Sequence, residues 1–169
     1  MSSEPVYGQT RMSPDTTPEP ALVDLSATPT AVVAAVIPAD QIVDHFDRSF
    51  GQVAAVIADQ AIGIAGAAFA LYHGFPGETV DLEVGFPVGR AVRPDMQVRP
   101  GELPGGRVAR LVHHGAFDQL GSSWGRLQEW ISQQGLTPGG DFWEVYVTEP
   151  SPDMDPADLR TELNWPVEE

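Results

Sequence analysis

The segment FDQLGSSWGRLQEWI, residues 117–131, has the spacing of an amphipathic helix, and it decides the fold because an earlier segment repeats it. The apolar face of this segment is formed by Phe117, Leu120, Trp124, Leu127, Trp130 and Ile131. The earlier segment places Ile42, Phe46, Phe50, Val53, Val56 and Ile57 in the same way, with identical spacing from Phe46 onward. Trp124 follows Phe50 by 74 positions, and the three later pairs keep this offset. Two helices at a constant offset predict an internal duplication.

The offset continues beyond the two helices. Tyr146 follows Tyr72 by 74 positions, and Glu162 follows Glu83 by 79, which indicates a five-residue insertion. Each half has the pattern strand, helix, strand, strand, and the predicted strands are 31–37, 67–72 and 80–86, then 107–113, 142–147 and 159–165. The fold class predicted is α+β, a tandem duplication with pseudo-two-fold symmetry and a central ligand groove. Because each half is too small for a strong core of its own, we expect the two to pack side by side.

Composition sets the domain limits. Residues 1–21 combine prolines with Ser, Thr and Glu, which predicts a disordered N-terminal tail. Residues 22–169 are predicted to form one domain, with repeat halves of about 22–101 and 102–169. The turn-forming residues 102–106 join the halves.

The charge balance excludes several classes of function. The net charge is -15, from 24 acidic residues against nine arginines and no lysine, so we expect no direct nucleic-acid partner. Cysteine is absent, which excludes disulfides, thiolate metal sites and cysteine nucleophiles. No apolar stretch reaches the length of about 20 residues that a membrane span needs. We expect a cytoplasmic protein without a membrane partner.

The predicted strand 142–147 presents two different faces. Trp143, Val145 and Val147 form an apolar face, which we expect to pack against the helices. The other face carries Phe142, Glu144 and Tyr146, whereas the corresponding face of the first repeat carries Ala68, Ala70 and Tyr72. Bulky side chains in one repeat are therefore matched by alanines in the other. This asymmetry predicts a hollow between Tyr72 and Tyr146.

Glu144 is the candidate functional group of this face. A carboxylate between aromatic side chains is costly to desolvate unless a partner neutralises it, and a ligand cation is one such partner. In the alternative interpretation Glu144 pairs with an arginine such as Arg110 or Arg160, or faces water. The residues by themselves leave both interpretations open.

Several motifs resemble those of the gyrase-inhibitor-like (GyrI-like) small-molecule-binding domain, which also forms the effector-binding halves of AraC-type and MerR-type multidrug regulators. They are LPGGRV at 103–108, HGAFDQL at 114–120, Trp124, Leu127, WI at 130–131, FWEVY at 142–146, LRTEL at 159–163 and PV at 166–167. The resemblance covers nearly all of the chain after residue 22 and is closer in the second half.

The resemblance implies a groove for lipophilic, often cationic compounds. It places the family's glutamate at Glu144 and a nearby tyrosine at Tyr146, while a tyrosine usual in the family is Phe117 here. Together with the strand analysis, this predicts the following ligand-binding residues: Glu144, Tyr146, Phe142, Tyr72, Ala70, Phe117 and Trp143. The implied partner is a small molecule, and the family name adds a regulator or DNA gyrase as an unproven partner.

Two functions fit the same groove. The first is drug or toxin binding, for sequestration or sensing. The second is hydrolysis of a strained electrophile such as a cyclopropane-bearing DNA alkylator, an activity that the resemblance implies for some free-standing members, with Glu144 and Tyr146 as the catalytic residues. The sequence does not separate the two.

No metal or cofactor is expected. His113 and His114 are adjacent and leave opposite faces of a strand, and His45 and His73 lack a carboxylate at helical ligand spacing. We expect these four histidines to be solvent-exposed or to cap secondary structure.

Overall fold

The structure is a computed structural model, and it describes residues 19–74, 77–148 and 155–168. Residues 1–18 of the predicted tail lie outside the described part. The strands and α-helices in chain order are β1 (Ala21–Leu25), β2 (Thr28–Pro38), α1 (Ile42–Asp59), β3 (Phe69–His73), β4 (Thr79–Pro87), β5 (Val98–Leu103), β6 (Gly106–His114), α2 (Leu120–Gln133), β7 (Thr137–Pro138), β8 (Asp141–Tyr146) and β9 (Arg160–Glu168). Short 3-10 turns, Ala39–Gln41 and Phe117–Gln119, precede the two helices, and a third, Pro156–Asp158, precedes β9.

The predicted duplication is present as two strand-helix-strand-strand units. The first consists of β2, α1, β3 and β4, and the second of β6, α2, β8 and β9. All strand pairs are antiparallel, and the strand order is β1-β6-β9-β8-β3-β4-β2-β5, with β7 beside β9. The central strands β3 and β8 join the repeats, from Phe69↔Val145 to His73↔Asp141. The α+β class and the pseudo-two-fold arrangement are therefore confirmed.

A long ribbon, which the sequence did not predict, closes the sheet. β1 pairs with β6 and β2 pairs with β5 in one continuous register, from Ala21↔Arg110 to Val33↔Val98. Because these two pairs stand at opposite ends of the strand order, the ribbon joins the ends and curls the sheet into a half-barrel. Gly105 lies at the short break in this ribbon, where a Cβ atom would stand 2.6 Å from the backbone nitrogen of Ala27.

The sheet is buried on both faces. On one face, Leu127 and Ile131 of α2 pack on β6 and β9, and Val53 and Ile57 of α1 pack on β2. On the other face, inside the half-barrel, a separate cluster is formed by Val32, Phe69, Leu71, Val108 and Trp143, with Val23, Leu25 and Leu103 from the ribbon.

This arrangement corrects one expectation. Trp143 lies in the half-barrel interior with Phe69 and Leu71, whereas Phe142 and Glu144 share the face that carries the helices. The alternation along β8 correctly predicted which side chains share a face. The expectation that the helices cover the face of Trp143 was wrong. The alternation could not do better, because both faces of a doubly covered strand can be apolar.

Candidate functional site

A cavity of about 710 Å³ lies between the two helices, above the central strands β3 and β8. Helix α1 forms one wall with Ile42, Val43, Phe46, Asp47 and Phe50. The floor and the opposite wall include Ala67, Ala68, Tyr72, Phe117, Leu120, Glu144, Tyr146 and Val147. Val43, Phe117 and Val147 are exposed, so the cavity opens to solvent at this rim. Its size is that of a site for a drug-sized molecule.

The hollow predicted between Tyr72 and Tyr146 is part of this cavity, and the asymmetry of the repeats creates it. Phe142 and Ala68 are equivalent by the 74-residue offset. The Phe142 ring fills its side of the sheet, stacking on Tyr72 at a centroid distance of 5.5 Å and meeting Trp124 at 4.8 Å and Trp165 at 5.2 Å. Ala68 leaves the corresponding volume open. One repeat is therefore packed where the other is hollow.

Glu144 lies at the floor of the cavity with 6% of its surface exposed. Trp124 Nε1 donates a hydrogen bond to Oε2 at 2.9 Å. Tyr146 donates to Oε1 at 2.9 Å, and Tyr72 makes a longer contact with the same oxygen at 3.5 Å. All three donors are neutral. The alternative pairings are absent, because Arg110 contacts Asn164 and Glu162, and Arg160 donates to the carbonyls of Ala157 and Leu159.

Burial controls the ionisation of these groups. Desolvation raises the pKa of Glu144 above its reference value of 4.5, although the hydrogen bonds from Trp124, Tyr146 and Tyr72 oppose this change. Desolvation and the neighbouring Glu144 also raise the pKa values of Tyr72 and Tyr146 well above that of free tyrosine. Both tyrosines therefore stay protonated as donors at neutral pH. The site is a carboxylate within an aromatic frame, and no arginine of the described residues forms an ion pair with it. His113 is the group whose charge favours the ionised form, and its effect is smaller than that of burial.

Tyr146 connects the floor of the cavity to the α1 wall. Its ring lies 6.2 Å from the rings of both Phe46 and Phe50 and 6.0 Å from that of Phe117. Phe50 also meets Phe86 at 5.9 Å. These aromatic contacts hold the tyrosine hydroxyl on Glu144 and give the cavity a surface suited to flat apolar groups.

The structure places the predicted site residues in three groups. Glu144, Tyr146, Tyr72 and Phe117 line the cavity. Phe142 and Ala70 lie on the same face of the sheet but are buried in the adjoining core, outside the cavity wall. Trp143 lies on the opposite face and points away from the cavity.

Several residues of the site were missed. Trp124 was recognised only as part of a helix face and of the family resemblance, although it donates to Glu144. Asp47 and Phe46 were missed as cavity residues because helical spacing does not show which part of an apolar face remains uncovered.

The histidines correct a second expectation. His45 and His113 are buried, and His113 contacts Ser123 Oγ at 2.6 Å and the Ala116 carbonyl at 2.9 Å. His73 is partly exposed between Glu83 at 2.7 Å and Asp141 at 3.3 Å. Across residues 19–74, 77–148 and 155–168, no group of three or more His, Asp or Glu side chains is arranged to hold a metal ion.

Comparison with known proteins identifies the family. The GyrI-like small molecule binding domain matches residues 18–168. The chain belongs to this family. The match confirms the resemblance seen in the sequence motifs, and it assigns the chain to a class of small-molecule-binding domains. No curated protein matches the chain at the sequence level.

Solved structures share the GyrI-like fold. The EcmrR C-terminal domain superposes with a TM-score of 0.79 at 17% identity, covering 89% of this chain and 98% of that domain. In an EcmrR–DNA complex, the match covers 90% of this chain but only 58% of the EcmrR chain. SAV2435 bound to tetraphenylphosphonium has a TM-score of 0.64 at 16% identity over 89% of this chain and 94% of its own. A hydrolase from Listeria innocua has a TM-score of 0.60 at 11% identity over 89% and 92%. At these identities the likeness shows the fold.

In the part of the chain that the structure describes, neither helix combines the length and apolarity needed to cross a membrane.

Proposed function

We propose that this GyrI-like domain binds a lipophilic cation, with Glu144 as its counter-ion. The observation that carries the proposal is the state of that carboxylate, which is buried, opens onto an apolar cavity, and is held by three neutral donors. An ionised carboxylate in such a place gains free energy from any cation that reaches it. An apolar body on the cation gains further by filling the aromatic walls.

The charge of the cavity supports the same proposal. Glu144 and Asp47 are the charged side chains among the described residues that line it, and none of the arginines joins them. The net charge of -15 adds a field that attracts cations and repels anions. SAV2435, which has the same fold, was solved with the lipophilic cation tetraphenylphosphonium.

The proposed contacts follow from the placement of the site residues. Glu144, Tyr146, Tyr72 and Phe117 contact the ligand directly. Phe142 and Ala70 act from behind the wall by holding Tyr72 and Glu144 in place, and Trp143 takes no part.

Calorimetric titration with tetraphenylphosphonium tests the proposal, with triphenylphosphine oxide as a neutral aryl control. We expect the native protein to prefer the cation, and Glu144→Gln to lose most of this preference while it retains affinity for the neutral compound. Glu129→Gln, on the exposed face of α2, is the matched control and should bind as the native protein does. Binding of neither compound, or equal cation preference in Glu144→Gln, would refute the proposal.

A second function, hydrolysis, is favoured by the contact between Tyr146 and Glu144. A carboxyl with a raised pKa, 2.9 Å from a tyrosine hydroxyl, can give a proton to an oxygen that gains negative charge and accept one from water. On a cyclopropane conjugated to a carbonyl, water oxygen would bond to the ring methylene carbon as the ring C–C bond breaks. The Glu144 proton would go to the carbonyl oxygen, and the proton of water would return to Glu144. The product is the substrate plus one water.

Mass spectrometry separates the two functions. An enzyme converts such a cyclopropane to a product heavier by one water, and Glu144→Gln abolishes this conversion while retaining the intact compound. A pure binding protein returns the compound unchanged in both forms.

A further inference from the structure

The wall formed by α1 carries a second carboxylate at a different depth from Glu144. Asp47 lines the cavity and is exposed, whereas Glu144 is buried at the floor. Phe46, Phe50 and Tyr146 line the same cavity and form an aromatic layer, with ring contacts of 6.2 Å from Tyr146 to each phenylalanine. The cavity therefore carries one carboxylate at its buried floor and a second at an exposed position of its wall.

Asp47 is available to a ligand. Among the described residues, no arginine or histidine forms an ion pair with its carboxylate. Val43, one helical turn before Asp47, is 68% exposed at the rim, which places this stretch of α1 at the mouth of the cavity. A group bound near Asp47 thus keeps part of its hydration.

We infer that Asp47 is a specificity-determining residue that selects elongated ligands with two cationic centres, one held at Glu144 and one at the mouth. This inference rests on the proposed function, because it requires a cation at Glu144. A second cationic group costs desolvation energy and lowers affinity in an apolar cavity that offers it no counter-charge. With Asp47 present, that group meets a carboxylate where water still hydrates it.

The length of the ligand is the second requirement. A chain too short to span the aromatic layer leaves its second charge among Phe46, Phe50 and Tyr146, and a chain long enough brings it to Asp47. Affinity should therefore rise with the spacing of the two charges until the mouth is reached. The affinity of a ligand with a single charge should not show this dependence on chain length.

Bis-trimethylammonium alkanes provide the test. Decamethonium is compared with decyltrimethylammonium, which has the same chain and one charge, and with the shorter hexamethonium. Each is titrated calorimetrically into the native protein, Asp47→Asn and Asp44→Asn. Asp44 is exposed on the same helix outside the cavity wall, so its variant controls for the general loss of negative charge.

We expect Asp47→Asn to weaken decamethonium by about three- to fivefold while decyltrimethylammonium changes less than about twofold, as for a partly hydrated ion pair. Asp44→Asn should leave the ratio of the two affinities unchanged. An unchanged ratio in Asp47→Asn would overturn the inference while leaving the proposed function intact, since the single-charge ligand still binds. If neither ligand binds the native protein, the proposed function itself fails.

Discussion

Glu144 and Ala70 lie directly opposite each other on β8 and β3, and they are also equivalent positions of the two repeats. The pseudo-two-fold axis therefore passes between them. A symmetric protein would place two identical side chains face to face at this point. Two glutamates there would be like charges at the distance of a cross-strand pair, which is destabilising. Alanine at position 70 allows a single carboxylate on the axis, with the tyrosine of each repeat contacting it.

This relationship predicts that a second carboxylate at position 70 will destabilise the fold. Ala70 is fully buried, so Ala70→Glu should lower the free energy of unfolding by about 3 kcal/mol or more at neutral pH. Ala70→Gln has nearly the same volume without the charge and is the control. The excess loss in Ala70→Glu over Ala70→Gln should shrink in acid, where the carboxyls are protonated. Chemical denaturation at several pH values measures it, and equal losses in both variants would contradict the argument.

The raised pKa of Glu144 predicts a stability that depends on pH. In the unfolded chain this carboxyl ionises near 4.5, whereas in the folded protein it keeps its proton to a higher pH. The folded state thus binds more protons between these two values, and the contribution of Glu144 to stability is lost as pH rises through the folded pKa. Glu144→Gln lacks this loss.

Thermal denaturation of the native protein and Glu144→Gln from about pH 4 to about pH 8 checks this prediction. The midpoint temperature of Glu144→Gln minus that of the native protein should rise with pH between the unfolded and the folded pKa of Glu144, and then level off. If the difference in midpoint temperature between the two proteins is constant with pH, burial does not raise the pKa of Glu144. The cation affinity of the native protein should increase with pH as the carboxylate forms, whereas the contribution of Glu144 to stability falls.

Trp124→Phe should weaken cation binding without unfolding the protein. Phenylalanine keeps most of the ring contact with Phe142 but removes the hydrogen bond to Oε2. A hydrogen bond to a charged group contributes about 1.5 to 3 kcal/mol, so its loss makes Glu144 harder to ionise. Because less of the protein then carries the carboxylate at neutral pH, affinity for tetraphenylphosphonium should fall by as much as about tenfold. The pKa of Glu144 should rise further, shifting the pH profile of binding upward.

Trp130→Phe is the control for this variant, because Trp130 lies on the same helix but is not among the donors to Glu144. Unchanged affinity and an unchanged pH profile in Trp124→Phe would show that the indole N–H does not position the carboxylate.

Gly105→Ala should destabilise the ribbon that closes the half-barrel. The added methyl group would stand 2.6 Å from the Ala27 nitrogen and 3.1 Å from the Leu25 carbonyl oxygen, both of which belong to the backbone and cannot move independently. We expect a loss of about 1 to 3 kcal/mol in the free energy of unfolding. Gly89→Ala, which meets no atom within 4 Å, should cost less. Similar losses in the two variants would argue against close contact at this point of the ribbon.

The duplication was predictable from the sequence because it rests on spacing along the chain. The matched helices and strands are local features, because the spacing that predicts them depends only on residues close together in the sequence. The added strands β1 and β5 were missed because each forms by pairing with a strand distant in sequence. The residues of β5, Val98–Leu103, also include Pro and Gly and carry a weak strand pattern, and β1 has only five residues.

The sequence by itself determined the α+β duplication, the negative charge and the presence of an acid among aromatics on one face of β8. Only the tertiary structure decided which face of the sheet carries the helices, that Trp124 and both tyrosines converge on Glu144, and that Asp47 stands at the mouth. The physical reason is that spacing along one strand or helix reports which side chains share a face. What covers that face depends on how distant segments pack against it.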